Sequence, residues 1–176
     1  MSNADTPMKI ASLLNSQDME EQKMGYEAFM GRTHWKLDST ADDLKNFACN
    51  QLNLKPQHVI ASIKRIEPAT LFASQDGLES DKLKMVEAAY GYFQKHNEEF
   101  PPVVVWNFFE SPVMRLVIHD GHHRSYFCHR FRIKLRAVVL EPLGNYSKVE
   151  DKFRYAFQIQ KRCIDLPVMR VGGVIE

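Results

Sequence analysis

The longest uncharged apolar run, Phe100 to Phe109, falls far short of the roughly 18 to 20 residues that a membrane helix needs, so no span is expected. Nor does the N-terminus carry a basic region followed by an apolar block, so secretion is not expected; Met1-Ser2-Asn3-Ala4 resembles a cloning remnant and carries no weight. Cysteine is scarce. Cys49, Cys128 and Cys163 include no CxxC pair, which excludes a disulfide framework and fits reduced thiols, packed as small apolar side chains, in a cytoplasmic protein. Charge of one sign is lacking too: 23 Lys and Arg against 22 Asp and Glu leave a formal net charge of +1. That balance exerts no global pull on nucleic acid or anionic membrane, so any basic surface must be local. Repeats and low-complexity tracts are absent.

What is present is ordinary for a globular protein: 44% hydrophobic and 26% charged residues over 176 positions, enough for one domain with extensions. We divide the chain into an N-terminal arm, residues 1–38, and a single domain, residues 39–176. In the arm, Met19, Tyr26 and Met30 recur at helical spacing, although Gly25 and Gly31 weaken the pattern. Thr40 and Asp43 form a capping-box pair ahead of an apolar face of Leu44, Phe47, Ala48 and Leu52. Val59 to Ile66 alternates as a half-buried strand, and a loop from Glu67 to Gly77 leads to a helix over Ser80 to Asn97. Its apolar face carries Leu83, Val86, Tyr90 and Phe93. After Pro101-Pro102, Val103 to Phe108 reads as a strand buried on both sides. The turn Glu110-Ser111-Pro112 predicts an antiparallel partner over Val113 to Ile118. A helix over Ser125 to Phe131 and a strand over Leu135 to Leu140 follow. Ser147 and Glu150 then cap a helix with Val149, Phe153, Ala156 and Phe157 inward, and the tail from Leu166 adds a strand.

Chemistry concentrates in Asp120-Gly121-His122-His123-Arg124, where a strand hands over to a helix. The first amides of a helix point outward unpaired and its dipole favours negative charge, so this corner suits an anion, above all a phosphate. Gly121 permits close backbone approach and positive φ. Arg124 offers a planar fork for two phosphate oxygens, and His123 and His122 offer hydrogen bonds, His122 alternatively toward a substrate. Asp120 either caps the helix or holds a magnesium ion. His119, His122, His123 and His129 invite a zinc reading, but no cysteine pair or HExxH helix completes a ligand set, and His119 and His129 should diverge. Arg130, Arg132, Lys134 and Arg136 after the corner are either a solvated face or a nucleic-acid track.

The segment Ile118-His119-Asp120-Gly121-His122-His123-Arg124, with its following helix and strand, resembles the signature of the ParB/sulfiredoxin superfamily, and the likeness extends from about Val59 to Pro142. It implies a small mixed α/β sheet with flanking helices, whose glycine-led turn binds a nucleotide phosphate. Sulfiredoxins place a catalytic cysteine where His122 stands, so thiol chemistry is not expected. Partition ParB proteins carry Glu-Arg-Arg and a following DNA-binding domain, for which the residues after Pro142 leave little room. Small-molecule kinases similar to the free-serine kinases carry a closely matching Asp-Gly-His-His-Arg, yet their glutamate base has no counterpart in Pro68-Ala69-Thr70-Leu71. The nearest carboxylates are Glu67, Asp76 and Glu79, so Glu79 and Asp76, with His122, are the catalytic candidates. Gln75, Gly77 and Lys82 resemble the loop of other ParB-like proteins, in which Gln75 and Lys82 join Gly121, His122, His123 and Arg124 around the nucleotide.

The resemblance implies an α/β nucleotide-binding protein that transfers or hydrolyses a terminal phosphate, with ATP, ADP or CTP and Mg2+, and a small-molecule acceptor. Replacing Arg124 by Ala is then expected to weaken nucleotide binding without unfolding the chain. The alternatives are a nucleic-acid-binding or nuclease module using Arg130, Arg132 and Lys134, and a non-catalytic interaction domain.

Overall fold

A computed structural model of the chain describes residues 6–108, 116–144 and 147–170. In order come α1 (Pro7–Leu14), α2 (Met19–Met30), α3 (Ala41–Gln51), β1 (Val59–Ile66), β2 (Leu71–Phe72), β3 (Leu78–Glu79) and α4 (Ser80–Lys95). After these follow β4 (Val103–Asn107), β5 (Leu116–Asp120), α5 (His122–Arg130), β6 (Leu135–Pro142), α6 (Ser147–Lys152), α7 (Arg154–Ile159) and β7 (Val168–Met169). The protein is mixed α/β and gathers into two units, one of Met1–Lys36, Gly77–Pro101 and Pro167–Glu176, the other of Leu37–Asp76 and Pro102–Leu166. No described helix is long and apolar enough to cross a membrane.

The first unit packs α1 between α2 and α4 and carries the short parallel pair β3–β7. Capping explains why the thinly patterned N-terminal stretch is helical. The Thr6 hydroxyl accepts from the Lys9 amide at 3.3 Å, and Asp18 accepts from Glu20 and Glu21 amides at 2.8 and 3.1 Å. Gly25, a weakness by propensity, is there for packing: a Cβ would stand 2.8 Å from the Leu14 nitrogen and 2.9 Å from the Leu13 Cβ, so only glycine lets α2 come this close to α1. On α4 the buried face is Met85, Val86, Ala89 and Phe93, with Leu83 and Tyr90 at its half-buried margins. Phe93 meets Phe29 and Phe100 edge-on, with ring centroids 6.1 and 5.4 Å away, an arrangement aromatic quadrupoles favour.

The second unit is built on a five-stranded sheet in the order β1-β6-β4-β5-β2. Its central strands are apolar on both faces: Val103 to Trp106 and Ala137 to Leu140 are all buried, as expected for parallel neighbours covered on two sides. β4 runs parallel to β6 and antiparallel to β5, and β1 pairs antiparallel with β6 from Val59↔Pro142 to Ile66↔Leu135. The short β2 lies parallel to β5 at the far edge. That edge is closed by the chain returning past it: the Ala73 amide donates to the Lys161 carbonyl at 2.9 Å, and the Arg162 guanidinium lies 3.9 Å over the Phe72 ring. α3 packs on β1 and β6, and its capping box is present, Thr40 and Asp43 bonding reciprocally.

Several elements differ from expectation in extent. The expected antiparallel partner of β4 is described over Leu116–Asp120, and residues 109–115, including the expected turn and the expected strand start at Val113, lie outside the described residues. α5 begins at His122, three residues earlier than the apolar spacing suggested, because Gly121 supplies the helix start. The last helix is broken at Phe153 into α6 and α7, with Val149, Phe153 and Ala156 buried. The Ser147 side chain expected to cap it lies outside the description. β2 and β3, two residues each, are too short to leave a period in sequence.

Candidate functional site

β5 delivers the corner with a bulge. In the β4–β5 ladder Val105 pairs with Ile118 but Val104 pairs with Asp120, so His119 is the additional residue on β5. An inserted residue re-aims its side chain, and His119 accordingly lines an open recess of about 450 Å³ with Gln51, Leu52, Ser74, Lys152 and Phe153. The ring of His119 is held edge-on to Trp106, Phe47 and Phe153, with centroids 5.8 to 6.3 Å apart. The Trp106 indole N–H donates to His119 Nδ1 at 3.1 Å, and His119 Nε2 lies 2.7 Å from Gln51 Oε1. Indole nitrogen is only a donor and an amide oxygen only an acceptor. These two partners assign a neutral imidazole with its proton on Nε2.

Gly121 follows at φ 103° and opens α5 without a side-chain cap. A Cβ there would press into Val103, so glycine is required both by the left-handed backbone and by the packing of the corner on β4. The glycine was expected to admit a ligand; its role here is to admit the side chain of Val103. Asp120 is not the helix cap. Its Oδ2 instead accepts from Arg124 Nη2 at 2.7 Å, while Arg124 Nη1 donates to the Pro102 carbonyl at 2.6 Å.

That geometry bears on three expectations. Arg124 is 5% exposed and its fork is turned inward, so it braces the corner; the expected phosphate clamp, and loss of ligand without loss of fold in Arg124→Ala, do not match a buried guanidinium. Asp120 is the counter-ion of Arg124, whose guanidinium stands 2.7 Å from the carboxylate and would oppose a magnesium ion held there. Among the described residues no three His, Cys, Asp or Glu side chains converge as metal ligands. His122, third, is buried, and burial followed by the neighbouring His123 and His119 drives its pKa down to about 3. An imidazole so resistant to protonation is a poor general base near neutrality.

What His122 does instead is tie down the loop after β2. Its Nε2 accepts from the Ser74 amide at 3.0 Å, the Ser74 hydroxyl stands 3.2 Å from the same nitrogen, and that hydroxyl donates to the Ile118 carbonyl at 2.7 Å. Through Ser74 the loop after β2 reaches the corner. Behind the helix, the Cys163 thiol donates to the His122 carbonyl at 3.3 Å. His123 stands half-buried on the first turn of α5, Gln75 is half-buried beside Ser74, and Asp76 is exposed one residue on. Glu79 and Lys82 belong to the first unit, where they pair with each other at 2.6 Å.

The residues that sequence reasoning missed are Ser74, Gln51 and Lys152. They are single polar residues at element ends, brought together only by the sheet order. His119 was noted solely as a possible metal ligand, and a bulge leaves no mark in sequence.

Fold and site together define a mixed α/β protein with an open polar recess beside a strand-to-helix corner. No family model matches the chain, and neither a curated protein nor a solved structure matches it.

Proposed function

We propose that the second unit binds a nucleotide or similar phosphorylated small molecule in the recess beside the β5–α5 corner, in keeping with its resemblance to the ParB/sulfiredoxin superfamily. The observation that carries this reading is the recess itself. It is about 450 Å³, within the range of small-molecule sites, and it combines the Lys152 ammonium, the Ser74 hydroxyl and the Gln51 amide with the apolar wall of Leu52 and Phe153. The Lys152 ammonium and the Gln51 side-chain N–H suit phosphate oxygens, the Ser74 hydroxyl having given its one proton to the Ile118 carbonyl, and the apolar wall suits a base or another flat organic moiety. The uncapped start of α5 adds oriented amides nearby, with His123 on the same turn. Arg124 and His122 serve by holding the corner in place.

Transfer or hydrolysis of a terminal phosphate requires in addition a group that orients the attacking oxygen. Asp76, two residues beyond Ser74 and exposed, is the candidate in this unit, and Glu79, paired with Lys82 at 2.6 Å, is the candidate in the other. Thermal-shift screening against ATP, ADP, CTP and GTP, with and without magnesium, tests binding. A rise in melting temperature that Lys152→Ala diminishes supports the proposal; no shift with any nucleotide rejects it. A turnover assay comparing the wild type with Asp76→Asn then separates an enzyme from a binding domain.

A further inference from the structure

The turn after α5 carries a second chemistry. Arg130, Arg132 and Lys134 are exposed, and between the first two Phe131 leaves 51% of its surface in solvent while its ring leans on Phe127 at 4.5 Å. The β1–β6 ladder then opposes Arg65 directly to Arg136, next to its final pair, Ile66↔Leu135. Like charges directly across an antiparallel pair repel. Arg136 is half-buried, and its pKa is lowered by burial first and by Arg65 second. Arg130, Arg132 and Lys134 thus lead into the end of the β1–β6 ladder where Arg65 and Arg136 pair, in a chain whose formal net charge is only +1.

Arg132 adds a separate observation. The Ile133 amide donates to the Cys128 carbonyl at 2.8 Å and the Arg132 amide to the His129 carbonyl at 3.1 Å, the bonding of a Schellman helix end. The residue at the left-handed position of that motif is usually glycine, and here it is Arg132 at φ 56°. Asn53 and Asn97 end α3 and α4 in the same left-handed way, so the backbone strain at Arg132 is what a glycine there would relieve.

We propose that Arg65, Arg130, Arg132, Lys134 and Arg136, with Phe131 between Arg130 and Arg132, form a binding surface for single-stranded nucleic acid. The cations track phosphates and the exposed ring stacks on a base; a solvent-facing aromatic flanked by arginines is more than phosphate neutralisation alone requires. The surface is distinct from the recess and does not depend on its ligand.

The test is fluorescence anisotropy of a labelled oligothymidylate with the full chain over a salt series. Five phosphate contacts predict a log–log salt slope of roughly 3 to 4, at about 0.7 per contact for single strands. Arg132→Gly is the decisive variant, because it removes a charge while relieving the backbone: it should keep or raise the melting temperature and lower the salt slope by about 0.7. Phe131→Ala should weaken binding roughly five- to a hundredfold, and Lys84→Ala, on α4, should leave it unchanged. The proposal is overturned by absence of binding at low salt, by an Arg132→Gly variant that binds as the wild type does, by equal affinity for a duplex, or by binding to phosphatidylserine vesicles without binding to the oligonucleotide.

Discussion

Ser74 and His122, 48 residues apart in sequence, meet at a single nitrogen: both the amide and the hydroxyl of Ser74 lie within 3.2 Å of His122 Nε2. Because an amide can only donate, the imidazole must keep that lone pair to accept. Protonating it would break the bond and charge a buried ring.

Stability should therefore fall in acid. An unfolded histidine titrates near 6.5, whereas His122 in the fold titrates at about 3. Above 6.5 both states are neutral and the residue contributes no pH dependence; between 6.5 and 3 the unfolded state binds the extra proton, so stability drops as pH falls, by up to about 1.4 kcal/mol per pH unit from this group. Urea midpoints measured from pH 7 to pH 4 should show a shallower acid loss in His122→Gln than in the wild type. Parallel curves would remove His122 as the cause.

Arg124→Ala should cost about 2–4 kcal/mol, since it leaves the Pro102 carbonyl and one face of Asp120 without their donor. Arg124→Lys should recover only part, because one ammonium does not reproduce the two-pronged geometry. Guanidinium denaturation reads this directly, and a folded, fully stable Arg124→Ala protein would return the guanidinium to ligand duty.

Gly121→Ala combines a left-handed backbone with a Cβ driven into Val103, and about 2–4 kcal/mol of destabilisation is expected. Adding Val103→Ala should relieve the steric part while the backbone part persists. Full additivity of the two losses would mean that the contact is not the reason for the glycine.

The three cysteines should resist alkylation in the native protein. All are buried, and burial pushes Cys128 to about 11 and Cys163 to about 12, with Cys49 also raised. Iodoacetamide near pH 8, followed by mass spectrometry, should label none until urea is added.

Much of the scaffold was legible because it is written in local signals. Thr40 and Asp43 announced α3, Pro101-Pro102 announced the end of α4, and the valines of β4 announced a strand buried on both faces. The corner was also visible, as a glycine between a strand and a helix. What sequence could not convey was direction. Arg124 one turn into α5 points inward to Asp120 and Pro102, because the neighbouring carboxylate and a helix-stopping proline carbonyl satisfy it there. His119 points outward because of a one-residue bulge. Ser74, Gln51 and Lys152 meet only through the tertiary order β1-β6-β4-β5-β2, and no periodicity encodes that.

The recess is the centre of the account, and amide and indole chemical shifts during titration with ATP, ADP and CTP interrogate it most directly. Perturbations should gather on Ser74, Gln51, Lys152 and the Trp106 indole N–H that reports on His119, with the Arg124 guanidinium signal retained. Titration curves that leave all four unmoved, or that shift Arg124 while sparing Ser74 and Trp106, would contradict it.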